Sequence, residues 1–315
     1  MKKKVTIIGA GAVGATTAYA LLARDAASEV VLIDINTPKA LGEALDIKQA
    51  TPFLDNCDIY AGDYRDAVGS QVVVITSGIG RKPGQTRLEL VQTNVAIIKS
   101  IASEIVKYAP DALYILVANP VDILTYAFLQ FTGLPKNQVF GTGTVLDTIR
   151  LRTRLAEIYH VNKKQVHANV LGEHGDSSFV AWSTATIAGV PITEYADAVA
   201  HSGILPTEYT RDDVETYVKK SGGKIISRKG CTVYGIATST MHIIKTISGS
   251  ADTALTVSTL HDGEYGLKDI CLSSLSLVDS TGVKSIVNQK LSDEEMAKLY
   301  QSAQALREVM KGAGL

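Results

Sequence analysis

The sequence predicts an α/β protein: a doubly wound parallel sheet followed by a mixed α+β second domain. Three observations support that expectation. Short β-branched runs alternate with longer helical stretches through the first half of the chain. Those runs are nearly continuously apolar, as parallel strands covered on both faces must be. The first of them leads into a glycine-rich turn that opens a helix.

The strand candidates are KVTIIG (4–9), EVVLID (29–34), QVVVIT (71–76), LYILVA (113–118) and QVFG (138–141). Helical stretches lie near 12–24, 38–50, 86–108 and 121–131. Right-handed crossovers would bring the strand carboxyl ends to one edge of the sheet, where ligands bind. The rhythm changes after about residue 142, so the expected domains are 1–142 and 143–315. The second begins with a helix over 147–159 and continues with strand candidates VHANVLG (166–172), LTVSTL (255–260) and ICLSSLSLV (270–278). The stretch 201–230, polar and carrying a Gly222-Gly223 pair, is expected to be a surface excursion. Ser292 and Glu295 have capping-box spacing. Met296, Leu299, Ala303, Leu306 and Met310 then form one apolar helical stripe.

Bulk composition excludes several classes. The 315 residues are 46% hydrophobic and 20% charged, an ordinary globular balance. A formal net charge of −1 supplies no field to gather nucleic acid or an anionic membrane. Three scattered cysteines, Cys57, Cys231 and Cys271, suit reduced thiols in a cytoplasmic protein. The start, MKKK followed by an apolar stretch, has some features of a signal peptide. Gly9, Gly11 and Gly14 break that stretch, and a strand–turn–helix accounts for it better.

Gly9-Ala10-Gly11-Ala12-Val13-Gly14 fits G-x-G-x-x-G between a strand and a helix, the Rossmann context. Gly9 permits the tight turn, Gly11 lets a pyrophosphate approach the backbone, and Gly14 lets helix pack on strand. Asp34 follows 20 residues after Gly14, at the end of the second strand candidate. A carboxylate there takes the adenosine ribose hydroxyls and repels a 2′-phosphate, so NAD is expected rather than NADP.

His174 lies in LGEHGD (171–176), between two glycines and two acids. It is either a loop histidine or a general acid/base that needs a carboxylate partner, which spacing does not identify. No second His or Cys stands at metal-ligand spacing, so no metal is expected. His160, His201, His242 and His261 read as structural or surface residues, and Trp182 as packing.

Four motifs occur in order: GIGRKPGQTRLEL (78–90), NPVDILTY (119–126), GTGTVLDTIRLR (141–152) and GEHGD (172–176). Together they closely resemble the L-lactate/malate dehydrogenase family, NAD-dependent 2-hydroxy acid oxidoreductases, over essentially the whole chain. The resemblance implies that Asp147 pairs with the proton-transferring His174. It implies that Arg150 binds the substrate carboxylate, Arg87 polarises its carbonyl, and Asn119 and Thr232 complete the pocket. On the cofactor side it adds Val13, Tyr64, Gly78, Val117, Asn119 and Thr142. It also implies a cytoplasmic enzyme of fermentation, assembled as a dimer or tetramer. A protein that merely holds NAD would leave His174, Asp147, Arg87 and Arg150 occurring together unexplained.

The substrate expectation is divided. Arg81 stands where lactate enzymes of the family commonly carry glutamine, and malate enzymes an arginine for a second carboxylate. Thr232 with Tyr234-Gly235-Ile236, and Gln85 to Leu90, resemble the lactate branch. Arg152 and His167 match the pair that binds fructose 1,6-bisphosphate in allosteric bacterial lactate dehydrogenases, which would imply a tetramer. FVAWST (179–184) resembles the hydroxyisocaproate branch, whose apolar substrates suit Arg81 badly. Pyruvate/lactate is the first expectation and oxaloacetate/malate the alternative.

Overall fold

The computed structural model describes residues 3–54, 57–80, 84, 86–203, 206–249 and 251–315. Six strands form its parallel half: β1 (Lys4–Ile8), β2 (Glu29–Ile33), β3 (Asp58–Ala61), β4 (Val72–Ile75), β5 (Leu113–Leu116) and β6 (Val139–Gly141). They lie in the order β3-β2-β1-β4-β5-β6, every neighbouring pair parallel. Strand order therefore reverses between β1 and β4, which is where such sheets open a crevice for a ligand. The connecting helices are α1 (Ala12–Ala23), α2 (Thr37–Lys48), α3 (Arg87–Ile105) and α4 (Val121–Thr132). Alternation along β1 assigns the two faces. Val5 and Ile7 pack with Leu21 and Leu22 of α1, whereas Ile8 packs with Ile98 and Ile101 of α3 and Phe128 of α4. The edge strand β3 has no counterpart among the sequence-derived strands. It is four residues long, begins with an exposed Asp58 and fully buries only Ile59, so it lacks the continuous apolar run of its neighbours.

The second half starts with α5 (Val145–Tyr159) and five two-residue strands: β7 (Val166–His167), β8 (Val170–Leu171), β9 (Phe179–Val180), β10 (Thr186–Ile187) and β11 (Val190–Pro191). The segment 166–172, expected as one strand, is split into β7 and β8. Arg152 donates to the Ala168 carbonyl and to Asn169 Oδ1, both at 3.0 Å, at the break. Helices α6 (Ile192–Val199), α7 (Arg211–Lys229) and α8 (Tyr234–Ile247) follow. The expected surface excursion over 201–230 is corrected by α7, whose 19 residues begin at a Thr210–Asp213 capping box. Only Val214 and Val218 of α7 are buried, so its apolar stripe is too short to announce a helix.

Strands β12 (Thr253–Asp262), β13 (Lys268–Asp279) and β14 (Gly282–Ile286) pair antiparallel and join the first sheet through Ser258 and Gly141, giving nine strands in one sheet. The closing helix α9 (Asp293–Ala313) buries Leu299, Ala303, Leu306 and Met310 against β13 residues Ile270 and Leu272. Two polar residues of α9 organise the loops beyond β8. Ser302 Oγ accepts the Glu173 N–H at 2.7 Å, and Glu295 accepts the Ser183 N–H at 2.9 Å and its hydroxyl. Glu295 also closes the helix cap by accepting the Ser292 N–H at 2.9 Å.

Glu295 is itself 5% exposed and accepts from the Ser183 N–H, the Ser183 hydroxyl and the Ser292 N–H, so its removal breaks more than one cap bond. Glu295→Ala is expected to destabilise the protein by about 2–4 kcal/mol, above the ~1 kcal/mol of an ordinary cap. Urea unfolding measures it, and a loss below about 1 kcal/mol would show that the Ser183 bonds contribute little.

Candidate active site

The strand carboxyl ends converge on one edge. Gly9 follows β1, Asp34 follows β2, Thr76 to Ile79 follow β4, Val117 to Asn119 follow β5 and Thr142 follows β6. Gly9 has φ 111°, and a Cβ there would lie 2.6 Å from Thr76 Oγ1. A Cβ on Gly14 would lie 1.8 Å from the Gly9 carbonyl oxygen. These two glycines are required by the protein itself. Gly11 is different: its φ is −74°, and a Cβ would meet no protein atom within 4 Å. It is also the N-cap of α1, with no side-chain cap, so the first N–H groups of that helix are left for an anion. Asp34 sits against this turn, Oδ2 accepting the Ala10 N–H at 2.7 Å and Oδ1 the Asn36 N–H at 2.8 Å. These residues fit a bound dinucleotide: an open backbone approach, a helix N-terminus and a carboxylate at the second strand.

A cavity of about 410 Å³ continues along the same edge. Of the expected residues it is lined by Val13, Gly78, Val117, Asn119, Thr142, Asp147, Arg150, His174 and Thr232. Tyr64 is not among its lining residues. It is half-buried in a 3-10 turn, packed on the α3–α4 side of the sheet. Asn94 fastens one wall. Its amide donates to the Asn119 carbonyl at 2.8 Å and to the Ile79 carbonyl at 3.2 Å, while Oδ1 accepts the Ile79 N–H at 2.9 Å.

Asp147 lies in the first turn of α5, where the helix dipole favours a carboxylate. Its Oδ2 is 2.6 Å from His174 Nδ1, and its Oδ1 accepts from Arg150 Nη1 at 2.8 Å. The three come together because Arg150 is one helical turn further on and β8 delivers His174 from 27 residues away. Burial pushes the His174 pKa down, but the Asp147 carboxylate and its hydrogen bond outweigh this, and the net shift is upward. Burial pushes the Asp147 pKa up, yet His174 and Arg150 hold it below the usual carboxylate range. With Nδ1 held by Asp147, Nε2 is the ring position left to exchange a proton. A second, smaller cavity reaches His174 from the side of Leu90, Val91 and Pro120.

Arg81 lies outside the described residues. Arg87 is the first residue of α3, behind a Thr86–Glu89 capping box, and its backbone alone is described. Arg152 and His167 stand apart from the cavity. Arg152 turns to Ala168 and Asn169, and His167 is exposed on β7. Sequence reasoning missed the α7 contribution to the wall: Lys219, Gly222, Gly223 and Ile226. The Gly222-Gly223 pair was the available signal, since glycine inside a helix needs a reason.

Two family models match the chain. The lactate/malate dehydrogenase NAD-binding domain covers residues 3–141, and the lactate/malate dehydrogenase alpha/beta C-terminal domain covers 144–313. The chain belongs to the lactate/malate dehydrogenase family. Within that family it is 45% identical to an L-lactate dehydrogenase of Acetivibrio thermocellus, over 98% of this chain and 96% of that one. It is 42% identical to L-lactate dehydrogenase 1 of Clostridium acetobutylicum, over 98% of each. The ligand-bound structure of the minor L-lactate dehydrogenase of Enterococcus mundtii superposes with a TM-score of 0.93 at 40% identity, covering 98% of each chain. The cofactor of the family's N-terminal domain is NAD, and the glycine turn fits it.

Gly11 separates cofactor binding from folding. Gly11→Ala is expected to leave the melting temperature within about 2 °C, because the new methyl meets no protein atom. It should weaken NADH binding, followed by fluorescence titration, by about tenfold or more. Equal affinity would mean that the pyrophosphate does not approach this peptide.

Proposed function

We propose that the chain is an NAD-dependent L-lactate dehydrogenase, interconverting pyruvate and L-lactate. The observation that carries this is the His174–Asp147–Arg150 constellation on the cavity at the sheet edge. The naming of its close relatives as L-lactate dehydrogenases supports the choice of acid. In this proposal residues 1–142 hold the cofactor, through Gly9, Gly11, Val13, Gly14, Asp34, Tyr64, Gly78, Val117, Asn119 and Thr142. Residues 143–315 carry most of the substrate chemistry.

Arg150 receives the 2-oxo acid carboxylate. One of its N–H groups is committed to Asp147, which fixes the guanidinium plane and leaves donors for a forked pair. Gly222 of α7 lies beside Nη2, and a Cβ there would stand 3.9 Å from it, at ordinary contact distance. Arg87 polarises the carbonyl, and Asn119 and Thr232 complete the pocket. The bound nicotinamide supplies the hydride. His174 gives its proton to the developing alkoxide, and Asp147 stabilises the imidazolium before transfer and fixes the tautomer after it. In the oxidative direction neutral His174 accepts the hydroxyl proton.

Oxaloacetate is the second reading, favoured by Arg81, which would pair with an additional carboxylate. Arg152 and His167 are proposed to bind fructose 1,6-bisphosphate in a cytoplasmic tetramer.

Comparison of kcat/KM for pyruvate and oxaloacetate, with and without the bisphosphate, tests the reading. Pyruvate is expected to win, and His174→Ala to lose about 10²–10⁴ of turnover. A hundredfold preference for oxaloacetate would transfer the assignment to malate. The pH dependence has a definite sign. Reduction needs protonated His174, so kcat/KM should fall as pH rises through a pKa above the usual 6.5. Asp147→Asn removes the charge that raises this pKa, so the limb should move to lower pH.

A further inference from the structure

Asp122 is the second residue of α4 and is 2% exposed. Its Oδ2 accepts the backbone N–H of His174 at 2.7 Å, from 52 positions away in sequence. Among the described residues its Oδ1 meets no donor in hydrogen-bond geometry, although the buried Ser258 hydroxyl lies near enough to hold the carboxyl pKa down. A buried carboxylate with one oxygen unpaired is unfavourable, and a neutral amide could accept the same N–H. Holding the peptide therefore does not by itself account for an acid at this position. The group that the charge faces is the His174 ring.

We propose that Asp122 is a positioning residue for proton transfer, anchoring the His174 peptide while its charge favours the protonated imidazole. This rests on His174 being the proton donor. The ring lies among Asp147 and Arg150 of α5, Asp122 of α4 and the neighbouring Glu173. Asp147 and Asp122 raise its pKa, and Arg150 lowers it. Asp122 in turn is faced by His174, Glu173 and Cys271 of β13. Burial pushes the Asp122 carboxyl up to about 6, with Ser258 and His174 holding it down. The two acids divide the work. Asp147 bonds the ring, and Asp122 bonds the main chain that carries it.

The test is the pH profile of kcat/KM for pyruvate reduction. Asp122→Asn keeps an acceptor for the His174 N–H and removes the charge. Its alkaline limb is expected to move down by about half a pH unit or more, with KM for pyruvate within about twofold. Asp122→Ala removes the anchor too, and kcat should fall about tenfold or more across the range. A limb for Asp122→Asn that superimposes on the native one overturns the proposal. Should either variant fold poorly by circular dichroism, Ser258→Ala leaves Asp122 in place and lets its pKa rise. The weakened charge should move the alkaline limb down, in the same direction as Asp122→Asn, and an unchanged alkaline limb overturns the proposal equally. Full turnover by His174→Gln would instead defeat the assignment of the proton donor.

Discussion

Asp147 is 6% exposed and bonds two basic side chains at once, and the geometry of the cavity is arranged around that fact. An ionised carboxylate in such a place is tolerated only when its oxygens are paired. Arg150 occupies one oxygen and His174 the other. The same pairing orders both partners, since each donor is held by a group that cannot itself retreat into water. The guanidinium plane is fixed for an incoming carboxylate, and the imidazole is fixed in one tautomer. In the proposed mechanism, substrate orientation and proton transfer share a single buried anchor at the first turn of α5.

The parallel sheet supplies the other constraint. Its strands all end on one side, so groups far apart in sequence arrive together without long loops. Tight turns at that edge have their own needs, and the three glycines after β1 divide along these lines. Gly9 and Gly14 would collide with the protein if they carried a Cβ, whereas a Cβ on Gly11 would meet no protein atom within 4 Å. One motif therefore contains two positions the fold requires and one it leaves open, the one proposed to admit the cofactor. The extension of the same sheet through β12 matters too, because Ser258 on that strand places its hydroxyl beside Asp122.

The parallel core was legible in the sequence because burial on both faces leaves an unbroken apolar signature, as in EVVLID and QVVVIT. The edge strand β3 was not, for the converse reason: only Ile59 is fully buried. Helix α7 was hidden because two buried valines make too short a stripe. The site was legible in proportion to how local its logic is. The spacing of Asp147 and Arg150 on one helix can be seen in the chain. Their meeting with His174 is a tertiary event, and the partner carboxylate came from family resemblance rather than from spacing. Asp122 and Asn94 left no periodic or motif signal of their own role, since each acts on a backbone group that only the fold brings near.

The segment between β4 and α3 is fastened at both ends, and the fastenings separate its two arginines. Asn94 grips Ile79 through both its N–H and its carbonyl and also holds Asn119, so the start of the segment is tied to the cavity wall. At the other end the Thr86–Glu89 box fixes the first turn of α3. Arg87 is the first residue of that helix, so its backbone is set by the cap and by the packing of Val91 against Leu171 and Phe179. That base is set by groups within the protein, independent of which 2-oxo acid binds. Arg81 stands six positions earlier, beyond the Asn94 clamp and before the cap. In the proposed mechanism Arg87 acts with Arg150 and His174 on every 2-oxo acid. Arg81 is proposed to meet only the distal end of the substrate, and the L-lactate dehydrogenase relatives favour the acid with one carboxylate.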